Sequence, residues 1–337
     1  MSKTVIPEGY HAALGLYDTQ RAIGTIKRTF ADMLTATLNL HRVSAPLFVE
    51  KSTGLNDDLN GVERKVSFDA PEVPGIIEVV QSLAKWKRQA LKEYDFHVGK
   101  GLYCDMNAIR RDEEMDNLHS IYVDQWDWEK VIREEDRTIV YLQSVVRSIV
   151  SAVCATELAV RAQFPGLESL PMHSHEVTFI TTQELEDLYP DLTPKERENA
   201  FVKAYGTTFL MKIGRKLASG LPHDGRAPDY DDWDLNGDLL FWNDVLGISY
   251  ELSSMGIRVS PESLDRQLSE AGADDRRALP FHKALLAGEL PYTIGGGIGQ
   301  SRLCMLILGS AHIGEVQASV WDDETRRRCA EAGVRLL

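Results

Sequence analysis

Four glycines stand within five positions near the C-terminal end of the chain, where residues 293–302 read TIGGGIGQSR. A strand-like Thr-Ile pair precedes them and an apolar run at 303–308 follows, which predicts a strand, a glycine turn and a helix. Glycines accumulate where the backbone needs positive φ or where a ligand contacts the main chain, and phosphates create both needs. Three interpretations are open: a dinucleotide fingerprint, with Arg302 where its third glycine belongs; a plain turn with an exposed Arg302; and a Gly297-x-Gly299-x-x-Arg302 turn that places an arginine over ATP. A Walker loop is excluded because no Gly-Lys-Ser/Thr follows.

Two carboxylates form a second candidate site. Residues 238–242 and 248–253 flank a turn at 243–247, which predicts an antiparallel hairpin. If the turn centres on residues 244 and 245, paired residues have numbers that sum to about 489, and Asp238 then lies opposite Glu251. Two carboxylates on adjacent strands suit Mg²⁺, a hard ion that prefers oxygen ligands.

Polar side chains also follow one face of a predicted strand pair at 102–110 and 121–129. Period-two alternation places three polar residues of the second strand on the same face: Gln125, Asp127 and Glu129. Three aromatic residues then occupy the other face: Tyr122, Trp126 and Trp128. The polar face is typical of a binding surface, and the aromatic face is suited to packing against a helix.

Basic residues open a predicted short helix at 81–88, where Lys85, Lys87 and Arg88 lie close together. Solvated charge on a helix surface is an equally good interpretation of this pattern. The polar loop at 54–61 contains Asp57, and its acids are also compatible with a simple turn.

The remaining patterns predict the elements that position these residues. Apolar spacing predicts long helices at 19–40 and 137–163, the second of which would cover the aromatic face. Residues 43–49 form a predicted strand, and Pro46 within it favours an edge or interface position. A predicted hairpin follows at 62–68 and 76–80.

Two capping boxes predict short helices after residue 180, one in Thr181 with Glu184 and one in Thr193 with Glu196. Strands follow one another in hairpins instead of alternating with helices. The expected fold class is therefore α+β, an antiparallel sheet with helices packed on one side.

Composition narrows the possible functions. The net charge of -14 over 337 residues opposes general adhesion to nucleic acid or anionic membranes, so any phosphate site must be a local basic pocket. The four cysteines are scattered and predict neither a zinc site nor a disulfide framework: Cys104, Cys154, Cys304 and Cys329. No run of about 18 apolar residues occurs, so we expect a cytoplasmic protein with no membrane anchor.

Taken together, these stretches resemble the catalytic core of class II aminoacyl-tRNA synthetases, through the helix and Pro46 strand, RRDE at 110–113 with its return strand, and the Gly-x-Gly-x-x-Arg run. Within that class the chain is most similar to the aspartate and asparagine group, and more specifically to ammonia-dependent asparagine synthetases, the aspartate–ammonia ligases without tRNA-reading domains. The runs that carry this resemblance are SLAKWKR (82–88), VDQWDWE (123–129), RAPDYDDW (226–233), ELSSMGIR (251–258) and GGGIGQSR (295–302).

The resemblance covers nearly the whole chain, so we expect an N-terminal extension at 1–18 and a single catalytic domain at 19–337. The implied fold is a class II synthetase-like antiparallel sheet flanked by helices. Departures from the family pattern are Arg111 in place of a proline, Asp58 in place of an asparagine, and a short link between Trp233 and Asn236.

The resemblance implies that ATP activates the side-chain carboxylate of L-aspartate, giving β-aspartyl-adenylate and pyrophosphate, and that ammonia then displaces AMP to form L-asparagine. Arg110 would hold the α-phosphate and Arg302 the far phosphates or the adenine. Mg²⁺ would bind to Asp238 and Glu251. The further nucleotide-binding residues are Glu113, Gly297 and Gly299.

At the aspartate end, Asp127 with Gln125 would bind the α-amino group, while Lys87 and Arg258 would bind the α-carboxylate. The other implied substrate-binding residues are Ser82, Asp231, Ser253 and Ser254. Asp57 is the candidate base that removes a proton from ammonium.

The expected partners are L-aspartate, ATP, ammonia and a second copy of the chain, through the helix at 19–40 and the strand around Pro46. No cysteine has a predicted activating base, so free ammonium is the expected nitrogen source instead of glutamine. Two alternatives are an inactive synthetase-like regulator, which retention of the charged residues argues against, and a truncated tRNA-charging paralogue. Acidity and the missing anticodon-binding barrel argue against the second.

Overall fold

The structure, a computed structural model, describes residues 3–57, 59 and 63–337. The helices are α1 (Leu16–Leu38), α2 (Ala84–Glu93), α3 (Ile139–Arg161), α4 (Thr182–Leu188), α5 (Pro194–Tyr205), α6 (Pro261–Glu270), α7 (Pro280–Leu286), α8 (Gln300–Leu308) and α9 (Asp323–Glu331). The strands are β1 (Leu40–Arg42), β2 (Phe48–Glu50), β3 (Ser67–Ala70), β4 (Val73–Val79), β5 (Gly101–Ile109), β6 (Tyr122–Val131), β7 (Thr178–Thr181), β8 (Thr208–Met211), β9 (Asp231–Asn243), β10 (Ile248–Arg258) and β11 (Thr293–Gly299). Asp58 lies outside the described residues, and so does Val62, where the predicted hairpin begins.

An eight-stranded sheet with the order β1-β5-β6-β11-β10-β9-β8-β7 organises the described chain. Its central pairs are antiparallel, as the hairpin pattern predicts, and the outermost pairs β1–β5 and β7–β8 are parallel. A separate three-stranded antiparallel sheet has the order β2-β4-β3. The α+β fold class is therefore confirmed, with parallel edges that the hairpin pattern does not indicate.

Helices cover both faces of the large sheet, so the expectation that they pack on one side is wrong. α1, α3 and α8 share the main core with the first face. On the second face, α4 and α5 bury Leu185 and Phe201 with Leu210 and Leu240, and α2 packs at the other end. The physical reason is visible in β9, where adjacent residues Leu239 and Leu240 point to opposite faces and are both buried.

The aromatic face of β6 is confirmed as a core face, with Trp126 and Trp128 both fully buried. The ring of Phe30 in α1 lies 4.7 Å from that of Trp126, centroid to centroid. Helix α3 packs against α1 and β9 and contributes to the same core. The predicted covering of this face therefore involves α1 as well as α3.

The predicted pairing of Asp238 with Glu251 is wrong. Asp238 pairs with Ser254, and Glu251 pairs with Leu240. Two features shift the register: Asn243 pairs with Ile248 at the turn, and a β-bulge lies between Glu251 and Ser253. A bulge adds one residue to one strand, which changes every pairing beyond it.

The predicted strand at 43–49 is also wrong, because the chain leaves one sheet and enters another there. β1 ends at Arg42 beside β5, and β2 begins at Phe48 beside β4. Pro46 lies between them, where its missing N–H costs no ladder hydrogen bond. The capping boxes at Thr181 and Thr193 are confirmed, each with its glutamate bonded back to the cap.

In the part of the chain that the structure describes, one helix, α3, is long and apolar enough to cross a membrane by length and composition alone. Its side chains Val146, Ile149, Val150 and Val153 are fully buried in the main core. The core position of this helix accounts for its apolar composition, so the helix is weak evidence for a membrane span.

The glycine run forms most of β11, a central strand, instead of the predicted turn. None of its four glycines has a φ in the left-handed region, so positive φ does not explain them. Lack of room for a side chain explains them, because a Cβ on Gly296 would lie 2.6 Å from the Met255 Cβ and 2.8 Å from the Ser254 carbonyl oxygen. The helix after the run is confirmed and begins at Gln300.

We expect Gly296→Ala to lower the free energy of unfolding by roughly 1–3 kcal/mol, because the new methyl group meets backbone atoms that cannot rotate away. Urea unfolding followed by circular dichroism measures the change. The matched control is Gly24→Ala in α1, where the nearest atom to a new Cβ is Arg28 Nη1 at 3.5 Å. Alanine is the better helix former, so the control should be as stable as the unaltered chain or more so. Equal unfolding midpoints for both variants would contradict this account of the strand.

Candidate active site

A cleft of about 430 Å³ lies over the second face of the sheet. Most of the residues that the sequence nominates line it: Asp57, Ser82, Lys87, Arg110, Glu113, Gln125, Asp127, Asp231, Glu251, Ser254, Arg258, Gly297, Gly299 and Arg302. Ser253 and Asp238 are not among its lining residues. Residues that are far apart in sequence therefore meet on β6, β10, β11 and the loops beside them.

The centre of the cleft is formed by β6 and β11. Gly297 pairs with Asp127 and Gly299 pairs with Gln125. A Cβ on Gly297 would lie 2.3 Å from Gln125 Oε1 and 2.7 Å from Asp127 Oδ1. The absence of a side chain at Gly297 therefore leaves the two polar groups of β6 room to occupy the cleft.

Lys87 reaches this centre from α2 and is almost fully buried. Its Nζ lies 3.1 Å from Asp127 Oδ2 and donates a hydrogen bond to the Gly296 carbonyl oxygen at 2.9 Å. Since a buried charge is costly unless it is paired, each member of the Lys87–Asp127 pair depends on the other. The pair presents one positive and one negative group within a few ångströms.

The alternative of solvated charge on α2 is wrong, because Lys85, Lys87 and Arg88 are all buried. Arg88 donates to the carbonyl oxygens of Val259 at 2.7 Å and Pro291 at 2.9 Å. Burial lowers the pKa of Arg88 to about 9. Two of these three cations thus tie α2 to other parts of the chain, while Lys87 lines the cleft.

Arg258 is held between two acids below the cleft. Its Nε and Nη2 donate to the Glu129 carboxylate, at 3.0 and 2.8 Å, and its Nη1 donates to Asp231. Burial alone would raise the pKa of Glu129, but the Arg258 guanidinium holds it below its usual value. All three guanidinium nitrogens of Arg258 are therefore engaged with protein carboxylates.

Arg110 and Arg302 also line the cleft, each near a glutamate. Arg110 Nη1 lies 3.9 Å from Glu113 Oε2, and its buried Nε has no hydrogen-bond partner among the described residues. Arg302 Nη1 donates to the Glu251 carbonyl oxygen at 2.8 Å and lies 3.5 Å from Glu251 Oε2. Two fixed positive charges with partly unused donors suit an anionic ligand.

Asp238 and Ser253 are buried and do not line the cleft, although Asp238 contacts a residue that does. Asp238 Oδ1 accepts a hydrogen bond from Arg226 Nη2 at 2.6 Å, and Arg226 Nη1 donates to Ser254. Burial raises the pKa of Asp238 to about 7, against the opposing effect of Arg226 and with a further increase from Glu251. Arg226 lines the cleft and received no predicted role, although it begins the RAPDYDDW run.

No cluster of three or more His, Cys, Asp or Glu residues that could hold a metal ion occurs in residues 3–57, 59 and 63–337. The carboxylates implied for Mg²⁺, those of Asp238 and Glu251, are close enough for Glu251 to raise the pKa of Asp238. These are hard oxygen donors that fit Mg²⁺, whose remaining ligands usually come from water and phosphate oxygens. The donor set therefore fits an ion that arrives with a nucleotide better than an independent protein site.

Asp57 closes one side of the cleft and is almost fully buried. Its Oδ1 accepts a hydrogen bond from the Leu59 N–H at 3.0 Å, while Oδ2 has no partner among the described residues. Burial raises the pKa of Asp57, Lys85 opposes that increase, and Asp229 adds to it. A carboxylate with an unused oxygen and a raised pKa is suited to accept a proton.

A buried network next to Asp57 was missed in the sequence. Asp229 Oδ2 is 3.0 Å from His282 Nε2, 2.9 Å from Arg276 Nη1 and 3.5 Å from Lys85 Nζ. The members come from three distant parts of the chain, near residues 85, 229 and 276–282, so no local pattern could reveal them. His119, Asp224 and Tyr230 also line the cleft without a predicted role.

Comparison with known proteins agrees with these features. The aspartate-ammonia ligase family model matches residues 17–333. The aspartate–ammonia ligase of Lactobacillus johnsonii is 59% identical over 335 residues, 99% of both chains, and that of Clostridium perfringens is 58% identical over 339 residues, the full length of both.

Solved structures of tRNA synthetases share the fold. The asparaginyl-tRNA synthetase of Entamoeba histolytica in complex with asparaginyl-adenylate has a TM-score of 0.66 at 13% identity, over 90% of this chain and 66% of that one. The Pyrococcus horikoshii enzyme in complex with the same adenylate has a TM-score of 0.66 at 14% identity, over 90% of this chain and 70% of that one. The resemblance found in the sequence is therefore confirmed: the chain has the fold of a class II synthetase catalytic core and belongs to the aspartate–ammonia ligase family.

Proposed function

We propose that this chain is an ATP-dependent ligase that converts L-aspartate and ammonia to L-asparagine through a β-aspartyl-adenylate, with release of AMP and pyrophosphate. The main support for this reaction is that the chain belongs to the aspartate–ammonia ligase family over nearly its full length. The cleft supports separate binding positions for aspartate and ATP, because a buried cation–anion pair and two arginines both line it. These are the complements of an amino-acid zwitterion and of a polyphosphate.

At the aspartate end, the substrate's α-carboxylate binds Lys87 and its α-ammonium group binds Asp127, with Gln125 beside it. The zwitterion brings one charge of each sign, so each buried protein charge exchanges its partner and neither is left uncompensated. Asp231 and Arg258 orient this end through their mutual ion pair. Ser82 and Ser254 supply hydroxyl groups at the cleft surface.

At the nucleotide end, Arg110 binds the α-phosphate and Arg302 binds the distal phosphates or the adenine. Positive charge placed where the pentavalent phosphorus gathers negative charge lowers the barrier to adenylate formation. Glu113 and the bare backbone at Gly297 and Gly299 complete the wall along the nucleotide. Bound Mg²⁺ supplies further neutralisation of phosphate charge, and Asp238 and Glu251 are the residues that would hold it.

Asp57 acts on the nitrogen substrate. Ammonium has no lone pair, so it must lose a proton before it attacks the acyl carbon of the adenylate. The unused Oδ2 of Asp57 and its raised pKa support a role as the proton acceptor. The nitrogen lone pair then forms the C–N bond, and the bond from the acyl carbon to the AMP oxygen breaks.

Free ammonium is the proposed nitrogen source. The four cysteines are all buried, and burial raises the pKa of Cys154 to about 11 and that of Cys304 to about 12. A thiol with a raised pKa is a poor nucleophile at neutral pH, which disfavours glutamine hydrolysis by this chain. The acidic chain and its small-molecule cleft further support work in the cytoplasm without nucleic acid or membrane partners.

We expect the purified chain, with L-aspartate, ATP, Mg²⁺ and ammonium, to yield asparagine, AMP and pyrophosphate in equal amounts. Chromatography of amino acids and nucleotides measures asparagine and AMP, and a pyrophosphatase-coupled phosphate assay measures pyrophosphate. Glutamine in place of ammonium should give no asparagine, and removal of Mg²⁺ with a chelator should stop the reaction. Release of ADP and phosphate, or equal rates from glutamine, would overturn the proposal.

We expect Asp57→Asn to lower asparagine formation from ammonium by about 100-fold or more, because the amide cannot accept the proton. Aspartate-dependent exchange of pyrophosphate into ATP should change by less than about threefold, since it does not use ammonia. Hydroxylamine, which is largely uncharged at neutral pH, should restore much of the rate as aspartyl hydroxamate. The matched control is Asp69→Asn on the exposed strand β3. Equal loss of exchange and of amide formation would remove Asp57 from this role.

We also propose a homodimer, formed through α1 and the segment around Pro46, on the resemblance to synthetases. Exposed apolar side chains near this region support it: Met33, Leu47, Phe48, Phe68 and Ile76. Phe48 and Phe68 contact each other edge to face at 5.5 Å, which makes a contiguous apolar patch. Such a patch on a protein surface favours a partner of the same character.

Light scattering at micromolar concentration should therefore give twice the chain mass of 37.8 kDa. Phe48→Glu should shift the mass toward the monomer, because a charge in an apolar interface loses its hydration. Leu188→Glu is the control, because Leu188 is exposed on α4, which packs on the sheet edge opposite β1. A monomeric mass for the unaltered chain would contradict the proposal.

A further inference from the structure

The segment at residues 3–10, here called the strap, is bound to the loop that joins β5 to β6. Val5 makes two backbone hydrogen bonds to a single side chain of that loop: its N–H donates to Asn117 Oδ1 at 2.8 Å, and its carbonyl oxygen accepts from Asn117 Nδ2 at 2.7 Å. A primary amide presents an N–H donor beside its carbonyl acceptor, so it imitates a neighbouring strand for Val5. The bond pair joins residues 112 positions apart in the sequence.

Asn117 ties the strap and the loop to a third segment. Its Nδ2 also donates to the Ala311 carbonyl oxygen at 2.7 Å. The backbone carbonyl oxygen of Asn117 accepts from the Ile313 N–H at 2.8 Å. The Asn117 side chain is buried. A buried amide with every partner supplied by backbone holds its three segments at fixed distances, because loss of any partner leaves a polar group unsatisfied.

The strap is itself anchored to the C-terminal part of the chain. The carbonyl oxygen of Thr4 accepts from Arg328 Nη1 at 2.8 Å, and the Thr4 hydroxyl lies 3.0 Å from the Thr325 hydroxyl. Tyr10 donates its hydroxyl proton to Glu315, with Oε2 at 2.9 Å. Two of these anchors, Thr325 and Arg328, are in α9, which does not line the cleft, so the strap connects the β5–β6 loop to a part of the fold outside it.

The opposite side of the same loop forms a wall of the cleft. Glu113, Leu118, His119 and Ser120 all line it, and two of them directly follow Asn117. Asp116 Oδ1 accepts from the Leu118 and His119 N–H groups, at 2.7 and 2.8 Å, which fixes the turn between Asn117 and the cleft. Ile313, bonded to Asn117 through its backbone, lines the cleft as well. A displacement of Asn117 would therefore move the wall beside Arg110.

We propose that the strap is a positioning element for the nucleotide: through Val5 and Asn117 it holds the β5–β6 loop in the conformation that binds ATP. A loop that is already ordered loses less conformational freedom when the ligand binds, so affinity is gained without a new contact to the ligand. Lys87, Asp127 and Arg258, which form the aspartate end, belong to other elements. The inference rests on the proposed function only in taking ATP as the ligand of this end of the cleft.

Val5→Pro tests the proposal at one hydrogen bond, since proline lacks the N–H that Asn117 accepts. Val5→Ala is the matched control, because the Val5 side chain is 62% exposed and the alanine keeps its N–H. We expect Val5→Pro to raise the KM for ATP about fivefold, and Asn117→Ala about tenfold or more, because more bonds are lost. The KM for aspartate and the kcat should stay within about twofold in both, and Val5→Ala should match the unaltered chain.

Hydrogen exchange followed by mass spectrometry gives a second measurement that needs no turnover. Amides at 111–120 should exchange faster in Val5→Pro than in Val5→Ala without ligand, and ATP with aspartate should slow them in both. This result would support the inference even if the unaltered chain made no asparagine, an outcome that would count against the proposed function instead. Unchanged KM for ATP together with unchanged exchange in both Val5→Pro and Asn117→Ala would overturn the strap's role, as would an equal rise in the KM for aspartate.

Discussion

The cleft depends on a central strand that has almost no side chains. β11 lies between β6 and β10, and the charged groups of both neighbours occupy the space above it. A Cβ on Gly295 would lie 2.0 Å from Glu129 Oε2 and 2.7 Å from Arg258 Nη2. Two strands that flank an ordinary strand hold their side chains roughly 10 Å apart, too far for an ion pair. The glycines thus allow residues of β6 and β10 to meet directly across β11.

Charge compensation follows from that geometry. Glu129 holds Arg258, Arg258 holds Asp231, and Asp127 holds Lys87, so the buried charges of the cleft occur in partnered sets. Removal of one member of such a set would leave a buried charge without compensation, which is strongly destabilising. The Lys87–Asp127 pair carries no net charge, so it favours a ligand with charges of both signs over a single ion. The net negative charge of the chain contributes little to the charge of the cleft, because the ion pairs of Glu129, Arg258, Asp231, Asp127 and Lys87 determine it.

Much of the fold was predictable because the decisive signals are local. The long helices, the β5–β6 pair, the capping boxes and the residues nominated from family runs depend on patterns within one segment, and the structure brings most of those residues to one cleft. Errors arose where contacts between residues distant in sequence determine the structure. The pairing of Asn243 with Ile248 at the turn and the bulge after Glu251 together place Asp238 opposite Ser254 instead of Glu251, and no single-strand pattern reveals either feature. The burial of Lys85 and Arg88 depends on carboxylates and carbonyl oxygens some 140 to 200 positions away.

The glycine run also depends on contacts that the sequence does not reveal. Its composition correctly indicates close approach, but the sequence cannot distinguish a ligand from a neighbouring side chain as the approaching group, and here side chains of β6 and β10 occupy the space. The network of Asp229, His282, Arg276 and Lys85 was invisible for a related reason. Its members lie up to about 200 positions apart, and only the folded sheet brings them together.

Unsatisfied polar atoms connect stability with function in this cleft. Asp57 Oδ2, Arg110 Nε and Arg226 Nε are buried without a hydrogen-bond partner among the described residues. Each such group costs roughly 1–3 kcal/mol of folding free energy, which a packed apolar residue would avoid. The cost is tolerable where a bound ligand later provides the missing partners, because a ligand that binds only the folded chain stabilises it. All three residues line one cleft, and this grouping is an argument for a bound ligand there that is independent of any sequence comparison.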